Sequence, residues 1–425
     1  EYDRLVQSCY YSTCGVPTYT VGGSLLYNVI DNRMSRQIDP SAYVNPWLED
    51  HNRLMPHCAL PDSVATRRNL VIINCESLES WVINKEIDGK PITPYLDSLV
   101  LLPNTFYAPN VLTQVSSGRS IDALLLMHSG LLPMVSSVYS MKYPSATYPT
   151  LNKALKQIYG SESYIFTCDK PITWNIEAIS RAFGYNRLID RRSFTLDEMI
   201  GNPAKLSDGS FLRQCAQMIK TDSTLWPVGE PRMLTFNTYS GHSPFILPDK
   251  FKDPAFDISG NGLPERLNDY ITMAHYTDSQ LHTLIGYIQS RPDYEDTIIV
   301  IVGDHEGLAG LRSDFLKSST KAHDIISTGQ YTPFIILNSP IAGYYPDIMG
   351  QVDIYPTLLN LLGADEYFWK GLGQSIFCAD KPKTAISSMT YEIAGDTASV
   401  NSETMEHLKK ARRVSDAIIR GNLLK

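Results

Sequence analysis

Four polar residues in three separate segments could together bind a divalent cation. Glu76 directly follows the apolar run "NLVIINC", Asp304 and His305 follow "TIIVIVG", and Ser120 opens "SIDALLLM". Two carboxylates, an imidazole and a hydroxyl form a mixed oxygen and nitrogen donor set for Mn²⁺, Zn²⁺ or Mg²⁺. A cation on the Ser120 oxygen would lower the pKa of that hydroxyl and make it a nucleophile near neutral pH. The sequence therefore predicts a metal site that activates a serine.

Each of these residues also has a purely structural interpretation. Ser120 stands where a helix begins, and serine is a favoured N-cap residue. Glu76 and Asp304 could be strand-end carboxylates in solvent, and His305 a core histidine with a satisfied ring. The joint pattern favours a site, because acids and an imidazole follow two different strands in "NCES" and "VGDHEG".

Five short apolar runs rich in β-branched or aromatic residues predict strands that are covered on both faces. Helical patterns such as "TYPTLNKALKQIYG" lie between them, so the expected fold is an α/β sandwich around a mostly parallel sheet. Ligands of such sheets collect beyond the carboxyl ends of the strands, where Glu76, His242, Asp304 and His305 are expected. The five runs begin at Asn69, Ser163, Met233, Thr297 and Thr332.

The chain divides into three parts around this pattern. Residues 1–67 are expected to form a lead-in helix and loops, and residues 68–380 the catalytic core. Residues 381–425 contain a strand pair in "AISSMTYEIAG" and a charged helix from Ser402 to Gly421, which complete the same domain.

Composition excludes some classes of function. The 425 residues carry a net charge of −8 and no block rich in Lys or Arg, which argues against a nucleic-acid partner. No stretch approaches 18 uninterrupted apolar residues, and the start lacks the pattern of a signal peptide. The given chain is thus expected to be soluble. Because it lacks an initiator Met, we expect its numbering to begin inside a longer precursor.

The seven cysteines include no C-x-x-C pair, so their spacing predicts neither a zinc finger nor a disulfide framework. Cys75 and Cys168 lie in apolar runs and are interpreted as small core residues. Cys9 and Cys14 could pair in an oxidising compartment, or remain free thiols.

A set of ordered motifs between about residues 68 and 378 resembles the lipoteichoic acid synthase-like, phosphoglycerol transferase branch of the alkaline phosphatase and sulfatase superfamily. The resemblance implies an alkaline phosphatase-like three-layer sandwich with a mostly parallel central sheet and a small C-terminal α+β part. It also implies a membrane-embedded helical bundle upstream of an extracytoplasmic catalytic domain. The motifs are "NLVIINCESLES", "SGRSIDA", "TWNIEAISRAFGY", "SGHSPF", "YTDS", "VGDHEG" and "DIYPTLLNLLG".

The same resemblance implies roles for individual residues. Ser120 takes the position of the Thr/Ser nucleophile, His242 faces the phosphoryl group, and Trp174 and Asn175 belong to the substrate pocket. The family commonly has an arginine after this Trp-Asn pair, where this chain has Ile176. One metal ion, often Mn²⁺, is implied, with four ligands: Glu76, Ser120, Asp304 and His305.

Other polar residues leave alternatives open. Arg119 could clamp a phosphate bidentately or be a solvated loop charge. Asp278 and His282 have i, i+4 spacing and could bind a second metal together with His323, but a polar helix stripe and a loop histidine are favoured. His128 is interpreted as satisfying a buried helix end.

The leading functional hypothesis is metal-dependent transfer or hydrolysis of a phosphoryl ester at the cell envelope. Ser120 would attack phosphorus, His242 would protonate the leaving oxygen, and the substrate would be a phospholipid or phosphorylated glycan with a phosphoglycerol- or phosphoethanolamine-type headgroup. One alternative is a sulfatase with a formylglycine, disfavoured because residues 121–124 lack the arginine that such sites need. Another is an inactive domain that binds an envelope glycan or lipid.

Overall fold

The apolar run Asn69–Cys75 forms the middle of a nine-stranded sheet. In this computed structural model, residues 40–61, 64 and 66–425 are described. The strands are β1 Asn69–Cys75, β2 Glu86–Ile87, β3 Lys90–Pro91, β4 Phe106–Leu112, β5 Glu162–Thr167, β6 Arg187–Ile189, β7 Met199–Ile200, β8 Lys205–Leu206, β9 Arg232–Asn237, β10 Thr297–Gly303, β11 Tyr331–Leu337, β12 Gly343–Tyr344, β13 Met349–Gly350, β14 Thr384–Ile386 and β15 Ile393–Gly395.

Helices cover both faces of this sheet. They are α1 Pro40–Leu54, α2 Pro94–Leu99, α3 Ser120–Ser129, α4 Tyr139–Lys142, α5 Leu151–Tyr159, α6 Ile176–Phe183, α7 Asp208–Thr221, α8 Glu265–Gln289, α9 Leu311–Ser318, α10 Thr320–Ile325, α11 Ile354–Leu361 and α12 Ser402–Gly421. In the described part of the chain, no helix combines the length and the apolarity that crossing a bilayer requires.

The strand order is β12-β4-β11-β10-β1-β9-β5-β6, with β13 also paired to β4. The run from β10 through β1, β9 and β5 to β6 is parallel. Its carboxyl ends therefore meet at one edge, which we call the catalytic edge. β11 is antiparallel to both of its neighbours.

Alternation along β1 divides the interior into two cores. Val71, Ile73 and Cys75 face one core, which contains apolar residues of α7 and α8. Leu70 and Ile72 face the other, which contains residues of α3, α5 and α11. Both faces of the sheet are thus covered, which confirms the predicted three-layer sandwich.

All five predicted strands are present, but the sequence did not predict β4. Its residues "FYAPNVL" include Pro109 and Asn110, which interrupt the apolar run, and proline is confined to irregular or edge positions of a sheet. The pairing of β4 with β11 shifts register between Thr332 and Phe334, so the strand continues past this interruption.

The C-terminal strand pair forms as β14 and β15, and the charged helix forms as α12. Ser402 and Gly421 are the first and last residues of α12, but its caps lie one residue outside them. The Asn401 side chain accepts the backbone N–H of Thr404, and Asn422 adopts the left-handed conformation that ends the helix.

A disulfide joins Cys58 to Cys378 across 320 residues of sequence. The sequence predicted no disulfide framework and offered Cys9 and Cys14 as a possible pair, so this disulfide was not anticipated. Spacing could not reveal this pair, because its proximity arises only when the segment after α1 returns beside the segment after α11. Cys75 and Cys168 are buried free cysteines, as predicted, while Cys9 and Cys14 lie outside the described residues.

Candidate active site

Ser120 is the first residue of α3, at the catalytic edge. Its hydroxyl donates to Glu76 Oε2 at 3.2 Å and lies 3.3 Å from His305 Nε2. Arg119, immediately before it, has φ of 49° and ψ of −116°, a conformation that costs a residue with a side chain about 1–3 kcal/mol. The strained turn therefore brings the serine oxygen to the strand ends from a different layer of the fold.

Glu76, Asp304 and His305 meet beside this oxygen. One donor atom from each side chain lies within 4.8 Å of the others, and all three residues are buried. His305 Nε2 is 3.3 Å from Glu76 Oε1 and 3.6 Å from Asp304 Oδ2. Buried carboxylates and an imidazole at this spacing fit the donor set of a divalent cation of the Mn²⁺ or Zn²⁺ class.

The three side chains shift one another's pKa values. Burial and the negative charge of Glu76 raise the pKa of Asp304. Burial opposes the charge on His305, but Asp304 and Glu76 prevail and raise its pKa to about 9. Burial likewise opposes the charge on Glu76, yet interaction with His305 lowers its pKa. The imidazolium thus supplies part of the positive charge that two adjacent buried carboxylates require.

Backbone contacts fix the orientation of Asp304. Its Oδ1 accepts the backbone N–H groups of Ser77 at 2.7 Å and of His305 at 2.8 Å. Oδ2 lies toward His305 instead. The first turn after β1 and the first turn after β10 are therefore joined through this one carboxylate.

Glu79 extends this junction and was not predicted from the sequence. Its Oε1 accepts the backbone N–H groups of Gly307 and Leu308, both at 2.8 Å, and its Oε2 accepts Trp81 Nε1 and pairs with Arg312. Glu79 is fully buried, so the loop after the ligand pair depends on it. The sequence did contain a hint of this role, because Glu79 is an acidic residue only three positions after Glu76.

Arg119 is held within the protein. Its guanidinium pairs with the Glu306 carboxylate, donates to the Glu306 carbonyl at 2.8 Å and lies 3.1 Å from His305 Nδ1. It is therefore neither a freely solvated loop charge nor an uncommitted clamp, and a contact with phosphate stays a prediction. Glu306, another residue that the sequence did not single out, is the partner that orients it.

The loop before Ser120 is held from two sides. Asp122 Oδ2 accepts the backbone N–H groups of Ser116 and Gly118, and a Cβ on Gly118 would lie 2.3 Å from Asp122 Oδ1. From α12, Arg412 donates to Ser116 Oγ at 2.8 Å. The C-terminal helix thus supports the loop that carries the predicted nucleophile.

A cavity of about 610 Å³ opens in front of the cluster. Its wall includes Ser120, Arg119, Trp174, His242 and the three candidate metal ligands Glu76, Asp304 and His305. His242 Nδ1 lies 2.6 Å from the Ser243 carbonyl, so Nδ1 carries a hydrogen and proton exchange is left to Nε2. Trp174 reaches this wall from a turn in which both it and Asn175 have positive φ, 52° and 55°.

Asn175 is absent from this wall. Its side chain donates to the Ser140 carbonyl at 3.1 Å, and it lines a neighbouring cavity instead. Ile176 does line the main cavity, where it contributes an apolar side chain. Lys205 and Asp169 also lie there as an ion pair that the sequence did not predict, because β5 and β8 are brought together only by the fold.

The candidates for a second metal do not meet. Asp278 is buried and accepts the backbone N–H groups of Tyr95 and Leu96, at 2.9 and 2.7 Å, in the first turn of α2. His282 is exposed, with its ring edge-on to Tyr95, and His323 is exposed on α10. His128 is buried beside Asn152 and Tyr185. Throughout the described residues, the group with the spacing of a metal site is Glu76, Asp304 and His305.

Comparison with known proteins agrees with this architecture. Over 333 residues, 76% of the chain, it is 27% identical to the lipoteichoic acid synthase-like protein YvgJ of Bacillus subtilis. The chain spans about half of that relative's length, 52%.

Two solved structures share the fold. The lipoteichoic acid synthase LtaP of Listeria monocytogenes superposes with a TM-score of 0.68 and 20% identity, covering 88% of this chain and 98% of its own. The phosphoglycerol transferase GacH of Streptococcus pyogenes, solved with sn-glycerol-1-phosphate, gives a TM-score of 0.53 and 14% identity, covering 91% and 94%.

Residues 68–364 match the sulfatase family over more than half of the chain. This region begins just before β1. It contains the three candidate metal ligands Glu76, Asp304 and His305, and also Ser120 and His242. The chain therefore belongs to the sulfatase family.

Proposed function

We propose that this domain transfers or hydrolyses a phosphoryl ester in a metal-dependent reaction, with Ser120 as the nucleophile. The observation that carries the proposal is the meeting of the Ser120 hydroxyl with Glu76, Asp304 and His305 in the wall of one cavity. Three distant segments supply these groups, and a folding role alone does not require a serine oxygen beside two buried carboxylates and an imidazole.

Glu76, Asp304, His305 and the Ser120 oxygen would hold the divalent ion. When bound, that ion lowers the pKa of the serine hydroxyl and offsets negative charge on the phosphoryl oxygens. Ser120 loses its proton to cavity water and attacks phosphorus, so that an Oγ–P bond forms while the bond to the leaving oxygen breaks. The position at the start of α3 favours an anion there, because the helix dipole is positive at this end.

His242 handles the proton of the leaving group. As imidazolium it donates from Nε2 to the leaving oxygen, while Nδ1–H remains bonded to the Ser243 carbonyl. The neutral Nε2 then accepts the proton of the incoming water or alcohol, which attacks the phosphoserine and releases Ser120. One histidine thereby serves both steps without changing the tautomer that the backbone fixes.

The substrate that we propose is a phospholipid or phosphorylated glycan with a phosphoglycerol- or phosphoethanolamine-type headgroup. A cavity of about 610 Å³ has the size of a small-molecule site. The names of the relatives, a lipoteichoic acid synthase and a phosphoglycerol transferase, support this class.

We also propose that the domain works outside the cytoplasm. The Cys58–Cys378 disulfide supports this location, because such bonds persist in oxidising compartments. The relatives are longer than this chain, which is consistent with a further segment such as a membrane anchor.

The test is a phosphodiesterase and transferase assay on the purified domain. Metal-free protein would be incubated with phosphatidylglycerol or phosphatidylethanolamine vesicles, with and without Mn²⁺, and the released diacylglycerol quantified. We expect Mn²⁺-dependent release from at least one lipid. No release with any of Mn²⁺, Zn²⁺ or Mg²⁺, in protein that binds the ion, would favour an inactive binding domain.

A further inference from the structure

The wall of the cavity contains a lysine, Lys205, that the mechanism above does not use. Lys205 extends from β8, and its ammonium forms an ion pair with Asp169 Oδ1, two residues beyond the end of β5. The lysine and aspartate side chains are 17% and 25% exposed. Both residues line the same cavity as Ser120, so the pair faces the place where the reaction is proposed to occur.

From Lys205 and Asp169 we infer a phosphate-binding device: on substrate binding, the Lys205 ammonium leaves the Asp169 carboxylate and contacts a non-bridging phosphoryl oxygen. This inference rests on the proposed function and adds the residue that recognises the anionic headgroup. Both partners before and after the exchange are anionic oxygens, so the lysine keeps a negatively charged partner throughout.

Carboxylic acids outnumber Lys and Arg side chains on the cavity wall. Among the described residues that line it, four side chains are carboxylic acids: Glu76, Asp169, Asp304 and Glu306. Its Lys and Arg side chains are those of Arg119 and Lys205. An incoming phosphodiester is itself an anion, so a cation that can turn toward it offsets repulsion from the wall.

Of these two cations, Lys205 is the one that can change partners. Arg119 is held at the Glu306 carboxylate, the Glu306 carbonyl and the His305 ring. Lys205 is paired with a single, partly exposed carboxylate. A lysine ammonium on a flexible four-carbon stem is also better suited to such a movement than a planar guanidinium bound at several atoms.

The position of Lys205 points to the phosphoryl group. Its Nζ lies 4.2 Å from the centroid of the Tyr239 ring, and that ring stacks on His242 with centroids 5.2 Å apart. Tyr239 is fixed in turn, because its hydroxyl donates to the Pro203 carbonyl at 2.7 Å. The Tyr239 ring therefore contacts both the ammonium and the histidine that is proposed to protonate the leaving oxygen.

The experiment measures binding by isothermal titration of sn-glycerol 1-phosphate into the Mn²⁺-loaded domain, with glycerol as the uncharged control. We expect Lys205→Met to raise the dissociation constant about tenfold or more, because a charge-assisted hydrogen bond is lost. Lys205→Arg should stay within a few-fold of wild type. Asp169→Asn should leave the affinity unchanged or tighten it, since the phosphate no longer competes with a carboxylate.

Lys205→Met and Asp169→Asn each remove one charge of the pair, but only Lys205→Met should weaken glycerol phosphate binding. A purely structural ion pair would instead be disturbed alike by both variants. If Lys205→Met and Asp169→Asn weaken binding alike, or if Lys205→Met binds within twofold of wild type, the inference is overturned. Circular dichroism and Mn²⁺ stoichiometry check each variant, and Lys205→Gln replaces Lys205→Met if the latter does not fold. A wild-type domain that binds neither Mn²⁺ nor glycerol phosphate would instead overturn the proposed function, and this inference with it.

Discussion

The catalytic edge and the middle of α8 both carry acid and histidine residues that sequence spacing could assign to metals, yet the fold uses them differently. At the catalytic edge, Glu76, Asp304 and His305 point into one buried cluster beside Ser120. On α8, Asp278 turns to the backbone of α2 while His282 stays exposed. One set therefore faces a shared cavity, and the other does not meet.

The difference shows which kind of spacing carries information. Residues that end neighbouring parallel strands must meet at one edge, because the sheet itself aligns them. An i, i+4 pair on a helix shares a face, but that face is open to any neighbour. The neighbour of α8 is the first turn of α2. Backbone N–H groups in that turn have no partner within their own helix, and they donate hydrogen bonds to the Asp278 carboxyl group.

Removal of the serine oxygen should have the largest effect at the catalytic edge. Ser120→Ala is expected to lower kcat about a thousandfold or more, because the proposed mechanism forms its covalent intermediate on the Ser120 oxygen. Lipid turnover in the Mn²⁺ assay measures it, and peptide mass spectrometry of protein trapped with substrate should place phosphate on Ser120.

Ser117→Ala is the matched control, since it removes a neighbouring hydroxyl from the same loop. Its kcat should remain within about threefold of wild type, as for most changes outside a reacting group. Phosphate trapped on Ser116 or Ser117, or normal turnover by Ser120→Ala, would transfer the role of nucleophile to another residue.

The candidate metal ligands provide the next largest contrast between the catalytic edge and α8. His305→Gln should weaken Mn²⁺ binding about a hundredfold or more, because an imidazole ligand is replaced by a poorly donating amide. His282→Gln should leave the affinity and the stoichiometry of one ion unchanged. Titration of metal-free protein followed by elemental analysis measures both, and equal losses in the two variants would mean that α8 belongs to the metal site.

The disulfide tests whether the stability of the fold can be separated from the chemistry of the catalytic edge. The double variant Cys58→Ser/Cys378→Ser should lose about 2–5 kcal/mol in the free energy of unfolding, because the unfolded chain is released from a long closed loop. Urea unfolding with and without reductant measures it. Reductant should destabilise wild type but not the variant, and Mn²⁺ stoichiometry should stay at one; an insensitive wild type would contradict the pairing.

The sequence predicted the catalytic edge well because its information is local. Continuous apolar runs marked β1, β5, β9, β10 and β11, and the residues directly after two of them formed the cluster. The residues that it missed are those whose partners are distant in the chain. Only the folded chain brings together the ion pairs Glu79–Arg312 and Lys205–Asp169 and the disulfide Cys58–Cys378.

Orientation was the other limit of prediction. The sequence suggested Asn175 for the substrate pocket, but a residue's position in a motif does not determine the direction of its side chain. Consecutive positive φ values at Trp174 and Asn175 direct the first toward the main cavity, while the second bonds to Ser140. The Arg119 side chain is similarly held by the Glu306 carboxylate. The sequence did not indicate that these two residues, far apart in the chain, lie close together in the fold.

The smallest predicted effect concerns Asp278 and tests its assignment as a structural carboxyl. Burial outweighs its two amide hydrogen bonds and raises its pKa to about 7, whereas a free aspartate in the unfolded chain has a pKa of about 3.9. Between these values the folded protein binds the proton more tightly than the unfolded chain. The contribution of this carboxyl to the free energy of unfolding should therefore fall as pH rises from about 4 to about 7.

Asp278→Asn removes this titration while keeping a neutral side chain of the same shape. The stability of wild type relative to Asp278→Asn should thus shrink with rising pH, by at most about 1.4 kcal/mol per pH unit. Urea unfolding at pH 5 and pH 7.5 measures the difference, and His282→Gln, on the same helix, should stay within about 0.5 kcal/mol of wild type at both. A wild-type advantage that grows with pH would mean that Asp278 is held as a charged carboxylate, as a metal ligand would be, and the contrast between α8 and the catalytic edge would then fail.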